Sequence, residues 1–265
     1  MKRSHRTKKS KERMKLYIEA GLAVFLVAAL TFAGAADAFT EQEENGIKSA
    51  EAVTAAETDG KEAAAAEKEA AEKDAAKQEE AADASDSDER YPIMGQSDIT
   101  VQEMVDYFND SGETYPAEEL SKGGADSIEA FCQIYYEEAE AEGVRPEVAF
   151  AQTMKETGFL QYGGDASIEQ FNFAGIGTTG GGVPGNSYPD VRTGVRAQIQ
   201  HLKAYATTDA LEQECVDDRY QYVKKGAAPY VEWLGQQENP QGVGWATGEN
   251  YGYDIVQMIR DMQEG

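Results

Sequence analysis

The stretch KEAAAAEKEAAEKDAAKQEEAADASDSDE constrains this chain more than any other feature. It forms most of residues 39–90, and it is Ala, Glu, Lys and Asp with almost nothing large and apolar. A segment of that composition cannot bury enough surface to fold by itself. Ala/Glu/Lys repeats act instead as partly helical, semi-rigid spacers, about 1.5 Å per residue where helical. A coiled-coil seam would need larger apolar side chains at its a and d positions, and only alanines stand there. Any core must therefore come from elsewhere. Composition changes at YPIMGQSDITVQEMV: from Tyr91 onward aromatics, Gly and Pro appear at globular levels. Residues 39–90 read as an acidic linker and residues 91–265 as one domain of ordinary size.

Ahead of the linker, residues 1–38 hold a basic block, MKRSHRTKKSKERMK, then an uncharged small and apolar run from Ala20 to Ala36, then the small-residue string ADA at 36–38. This pattern predicts a cleavable secretory signal or a short N-terminal membrane anchor. The run sits at the lower limit of about 17 to 25 residues for a span. In both cases the basic end stays inside and the rest is exported, to the cell envelope or beyond. A basic amphipathic surface helix fits less well, because the positive and apolar blocks are separate. The chain carries a formal net charge of −25, and its first 38 residues are basic, so the remainder is more acidic still. Such a surface repels phosphate backbones and argues against nucleic-acid binding.

Two cysteines, Cys132 and Cys215, occur in the chain. An even pair in an exported protein predicts one disulfide, with two buried thiols as the alternative. With only His5 and His201 besides, a His/Cys metal cluster is excluded by inventory, and no cofactor is expected.

Helical periodicity fills much of the domain. TVQEMVDYF opens with the capping box Thr100/Glu103 and aligns Val101, Met104, Val105 and Phe108. DSIEAFCQIYYEEAEAEG aligns Ile128, Phe131, Cys132, Tyr135, Tyr136 and Ala139 and closes at Gly143. RPEVAFAQTMKETG has Pro146 near its start and Gly158 past its end. TGVRAQIQHLKAYA aligns Val195, Ile199, Leu202 and Ala206, and NYGYDIVQMIRDM aligns Tyr251, Ile255, Met258, Ile259 and Met262. Between the third and fourth helices lies a Gly-rich segment, read as loop with a short hairpin. The fold class is α+β, mostly helical, with a small β or loop lobe.

Gly175, Gly177 and Gly180 spell GxGxxG, but Gly181, Gly182, Val183 and Pro184 follow, which is no helix start. Without a flanking strand and helix the string is not a dinucleotide site. A mobile loop lining a cleft is the better reading. His201 stands between Gln200 and Leu202 on a helix, and no GxSxG elbow exists, so a structural histidine is favoured over a Ser/His/Asp triad. Glu156 is different. Helical spacing sets it on the face of Ala149, Gln152 and Thr153 in the last turn of an apolar helix. Burial and the helix dipole both disfavour its charge there. Lys155 would oppose this, but sequence neighbours point to different faces. A carboxyl with a raised pKa at a cleft suits a general acid; the alternative is a surface glutamate beside Lys155.

VAFAQTMKETGFL, then FNFAGIGTTGG, then YPDVRTGVRAQIQHLKAYA, then GWATGENYGYDIVQMI occur in that order. Together they resemble the glucosaminidase domain of bacterial autolysins, glycoside hydrolase family 73, over most of residues 91–265. The resemblance implies a lysozyme-like fold. It also implies cleavage of the bond from N-acetylglucosamine to N-acetylmuramic acid in peptidoglycan glycan strands, acting as a monomer without a cofactor. It matches Glu156 to the family's catalytic acid and Tyr251 to its late tyrosine near the reactive sugar. Asn172, Phe173 and Gly175 fall in its cleft motif, with the phenylalanine moved by one. Gln152, Tyr188 and Trp245 join these as expected substrate contacts, although core packing competes for each aromatic ring. Many members carry a second acid in the β lobe, and Thr178 to Pro189 contains none. Asp190 is the nearest candidate, with Asp165 and Glu169 further back. Either Asp190 acts on water or the substrate's own acetamido group takes the part, helped by Tyr251; Asp190 as a plain cap of the next turn is the third reading. A muramidase, a lytic transglycosylase of the same fold, and a non-catalytic wall-binding module are the rival functions.

Overall fold

A computed structural model describes Glu12 and residues 90–163, 166–178 and 182–265. The expected signal or anchor and the acidic linker lie outside the described residues, apart from Glu12 and Arg90. Among the described residues no helix is long and apolar enough to cross a membrane.

The domain is mostly helical. Its helices are α1 (Val101–Ser111), α2 (Ala117–Leu120), α3 (Ile128–Glu142), α4 (Pro146–Thr157), α5 (Val191–Ala206) and α6 (Tyr251–Gln263). Single 3-10 turns at Ser121–Gly123, Ile168–Gln170, Tyr220–Tyr222 and Val231–Leu234 punctuate the connections. The helix ends obey local chemistry. Thr100 and Glu103 cap α1 reciprocally, and Gly143 and Gly158 end α3 and α4 in the left-handed conformation, with φ of 72° and 57°. Asp190 starts α5, its side chain accepting from the Thr193 N–H at 2.7 Å, so the helix begins two residues before the sequence pattern does.

The expected hairpin is not formed among the described residues. Strand pairing there is confined to isolated bridges, such as Pro92 with Tyr230, Met94 with Val144 and Gly235 with Ala246. The described part of the Gly-rich segment is held by single backbone bonds, such as the Asn186 N–H to the Ile176 carbonyl at 2.9 Å, and by side chains. Asn172 Nδ2 donates to the Ile176 carbonyl at 2.8 Å and to the Asn186 carbonyl at 3.1 Å, while its Oδ1 accepts from the Ile176 N–H at 3.0 Å.

Helix α4 is the centre of the packing. It lies against α3, α5 and α6, and all twelve of its residues are buried. Its polar residues would ordinarily make one face wet. The difference arises because its polar side chains have partners inside the protein. Glu147, for example, accepts from Tyr91 Oη and Ser97 Oγ, each at 2.6 Å. Aromatic rings fill the space between α3, α4 and the Asn172 loop: Phe131 meets Tyr135 at 5.1 Å and Phe173 at 5.2 Å between centroids, and Tyr135 meets Phe150 at 5.9 Å. Burying each such ring contributes about 1.5–3 kcal/mol.

The expected disulfide is absent, and both cysteines are free. Cys132 is enclosed on the inner face of α3, whereas Cys215 is exposed in the loop after α5, its thiol donating to the Asp217 carbonyl at 3.3 Å. An even count carries no information about whether two side chains meet.

Candidate active site

Glu156 projects from the last turn of α4 and is 6 % exposed. Burial pushes its pKa up to about 7; a hydrogen bond from Tyr251 and the charge of Lys155 pull the other way and do not overcome it. The carboxyl is therefore poised to hold or release a proton near neutrality. Lys155, set aside on spacing alone, does act on Glu156. Its Nζ lies 5.6 Å from the centroid of the Tyr251 ring. The ammonium is engaged by Asp254 Oδ2 at 2.8 Å.

Tyr251, the first residue of α6, donates its hydroxyl hydrogen to Glu156 Oε1. Its position depends on its neighbour. A Cβ at Gly252 would stand 2.2 Å from the Val231 carbonyl oxygen and 2.5 Å from the Glu232 Cα, so only glycine lets the Val231–Leu234 turn press onto the start of α6. Burial, with the adjacent Glu156, holds the Tyr251 phenol well above its usual range, so it acts as a neutral hydroxyl.

Gln152 was expected to touch substrate. It is fully buried, and its Nε2 donates to Tyr251 Oη at 3.1 Å. Phe173 is also withdrawn from solvent, 1 % exposed and packed on Phe131 and Tyr135. Asn172 shapes the loop through the bonds given above and is itself buried. Tyr188 is half-buried against the core, its N–H donating to the Gln170 carbonyl at 2.8 Å.

Gly175 and Trp245 do share a cleft, of about 220 Å³, with Ile176, His201, Tyr205 and Arg219. Neither Glu156 nor Tyr251 lines this cleft; Tyr205, which does, adds a small electrostatic push to the Tyr251 phenol. His201 packs edge-on to Trp245 at 4.8 Å, and its Nδ1 meets the buried Asp217 Oδ2 at 2.6 Å. No serine joins that pair among the described hydrogen bonds, in keeping with a structural histidine. Gly175 and Gly177 take φ of 64° and 77° within a loop rather than at a helix start.

The described candidates for a second acid, Asp190 and Glu169, show no bond to Glu156. Asp190 is occupied as the cap of α5 and lines a separate groove with Gln133, Arg192 and Arg196. None of the described hydrogen bonds joins it to Glu156 or Tyr251. Glu169 is exposed beside Ser167, and Asp165 lies outside the described residues.

A buried glutamate of raised pKa, a tyrosine bonded to it and an Asn-pinned loop beside an aromatic cleft set the terms for comparison with known proteins. Residues 132–264 match the glucosaminidase family, described as mannosyl-glycoprotein endo-beta-N-acetylglucosaminidase. The chain belongs to this family of glycoside hydrolases. Among curated proteins it is similar to an uncharacterized protein of Borreliella burgdorferi, 40% identical over 113 residues. That alignment covers 43% of this chain and 54% of the relative, so the chain spans about half the length of the protein it matches. No solved structure matches.

Within this family domain one inner residue escaped sequence reasoning. Gln198 is fully buried between α4 and α5. The signal was present: it sits three residues after Val195 and four before Leu202, on the stripe that faces the core.

Proposed function

We propose that this protein is an exported endo-β-N-acetylglucosaminidase, cutting the β-1,4 bond between N-acetylglucosamine and N-acetylmuramic acid in peptidoglycan. The observation that carries this is Glu156: a desolvated carboxyl with its pKa near 7, bonded to Tyr251, in the domain that matches the glucosaminidase family. Glu156 gives its proton to the leaving glycosidic oxygen as the bond to the anomeric carbon breaks. The cleft of Gly175, Tyr205 and Trp245 receives the glycan strand, and a lysozyme-like arrangement of the helical domain accommodates it. Residues 1–38 direct export or anchor the chain at the membrane, the linker 39–90 holds the domain off the membrane, and residues 91–265 act as a monomer.

For the second catalytic part we favour the substrate's acetamido group over Asp190. Its carbonyl oxygen attacks the anomeric carbon as the leaving oxygen is protonated; water then opens the cyclic intermediate, returning a proton to Glu156. The capping role of Asp190 supports this route. Tyr251, neutral and beside the acid, fits the position next to the reacting sugar.

The test is the product end. Purified peptidoglycan is digested, reduced with borohydride and analysed for sugar alcohols. Glucosaminitol is expected. Muramitol would instead assign a muramidase, an anhydro-muramyl end a lytic transglycosylase, and intact glycan strands a binding module.

A further inference from the structure

Gln198 stands at the head of a row of hydrogen bonds whose direction can be worked out. Its Nε2 lies 3.0 Å from the Ala149 carbonyl oxygen. A carbonyl only accepts, so the amide nitrogen must face it. The same NH2 group donates to Gln152 Oε1 at 2.9 Å. Gln198 Oε1 lies 2.8 Å from Tyr135 Oη and 2.9 Å from Thr153 Oγ1, hydroxyls that are 2.6 Å apart and at least one of which donates to it. Gln152 therefore turns its own NH2 toward Tyr251 Oη, at 3.1 Å. With that lone pair engaged, the Tyr251 hydrogen is left to point at Glu156 Oε1. Every link donates in one sense, from α5 through α4 and α6 back to α4.

We propose that Gln198 is a positioning residue, which sets the sense of this chain of hydrogen bonds and thereby leaves the transferable proton of Glu156 on Oε2. The inference rests on Glu156 as the acid proposed above. A carboxyl whose Oε1 already accepts a hydrogen bond carries its own proton on the other oxygen, the one free to meet a leaving group. Chains of this kind strengthen each member, so a distant link affects the last acceptor. The other groups near Glu156 are Tyr251 and Asp254 on α6, Lys155 on its own helix, and Tyr205 on α5 by way of Tyr251. None is altered by a change at Gln198.

The deciding experiment pairs activity with direct titration. A Tyr251 hydroxyl that donates less strongly supports the charged form of Glu156 less, so the pKa rises and the alkaline limb of the kcat profile moves up in pH. Gln198→Met is expected to move that limb up by about half a unit and lower kcat several-fold at constant KM, and Gln152→Met by about one unit. The double variant is expected to match Gln152→Met alone, because Gln198 acts through Gln152. A lowered Tm with the limb unmoved, or shifts that add, overturns the proposal. Carboxyl carbon NMR, with Glu156→Gln to assign the resonance, reads the same titration without any substrate. A protein inactive on wall glycans would thus refute the proposed function, while the titration still judges the chain. Neutron diffraction of the native protein at pH 5 needs no variant to fold. Deuterium is expected on Tyr251 Oη toward Glu156 Oε1 and on Glu156 Oε2; deuterium on Oε1, or a reversed Gln152 amide, overturns the proposal.

Discussion

Glu142 and Glu156 stand in the last turns of two successive helices, α3 and α4, and both are buried, yet they are built for opposite purposes. Glu142 accepts from Lys203 Nζ and the Glu212 N–H, each at 2.9 Å, and from the Gln213 N–H at 3.1 Å. Glu156 receives one hydroxyl, from Tyr251, and the nearest ammonium is held by Asp254. Burial penalises both anions; the number and charge of the donors decide whether the penalty is met. Where it is met, the carboxylate ties α3 to α5 and the following loop. Where it is left open, the carboxyl keeps a proton to give.

Exchanging each acid for its amide separates the two roles. Glu156→Gln removes the proton donor and is expected to lower peptidoglycan turnover by about a thousandfold with the fold intact, read by wall digestion beside circular dichroism. Activity near wild type would remove the mechanism. Glu142→Gln leaves Lys203, only 3 % exposed, with no carboxylate but the exposed Glu212 at 3.9 Å. Denaturant unfolding is expected to show a loss of about 3–5 kcal/mol, with the turnover of the folded fraction kept.

The pH dependence sharpens the contrast. With Glu156 raised from 4.5 to about 7, the unfolded chain ionises across that window while the folded one resists. This group therefore costs nothing below about pH 4.5 and destabilises the fold increasingly as pH rises to about 7, by roughly 3 kcal/mol in total. Glu156→Gln is expected to match wild type at pH 4 and exceed it in stability at pH 8; parallel stability curves would contradict the assignment. Tyr251→Phe removes the single donor, so the alkaline limb of activity is expected to move up in pH, with a rate loss of about tenfold or more. Smallest is Asp190→Asn. Asparagine caps a helix about as well as aspartate, so stability is expected to change by only a few tenths of a kcal/mol and activity mildly. A loss of several orders of magnitude would instead make Asp190 the missing second acid.

Much of the helical frame was legible because its signals are local. The Thr100/Glu103 box, Gly143, and the pair Pro146 and Gly158 each act within one turn, and each stands where the pattern placed it. The burial of α4 on all sides was not legible, because Glu147, Lys155 and Gln152 look like surface residues until partners from distant segments meet them. For the same reason the inner role of Gln198 could not be read from the sequence. Spacing gives a side chain its face but not what that face meets. Glu156 was the exception: a lone acid at the inner end of an apolar helix is a local anomaly, and the structure finds it enclosed, with burial outweighing its partners.

The Glu156–Tyr251 bond spans 95 positions of sequence. Chains emerge from the ribosome, and thread through export channels, one end first. A growing chain therefore presents Glu156 well before Tyr251 exists to meet it. Nor does the tyrosine hold its place until α6 has seated against the Val231–Leu234 turn at Gly252. The site is thus incomplete until a segment 95 positions further along has been made and has docked. A proteolytic nick ahead of α6 that frees the helix would switch the site off without touching the acid.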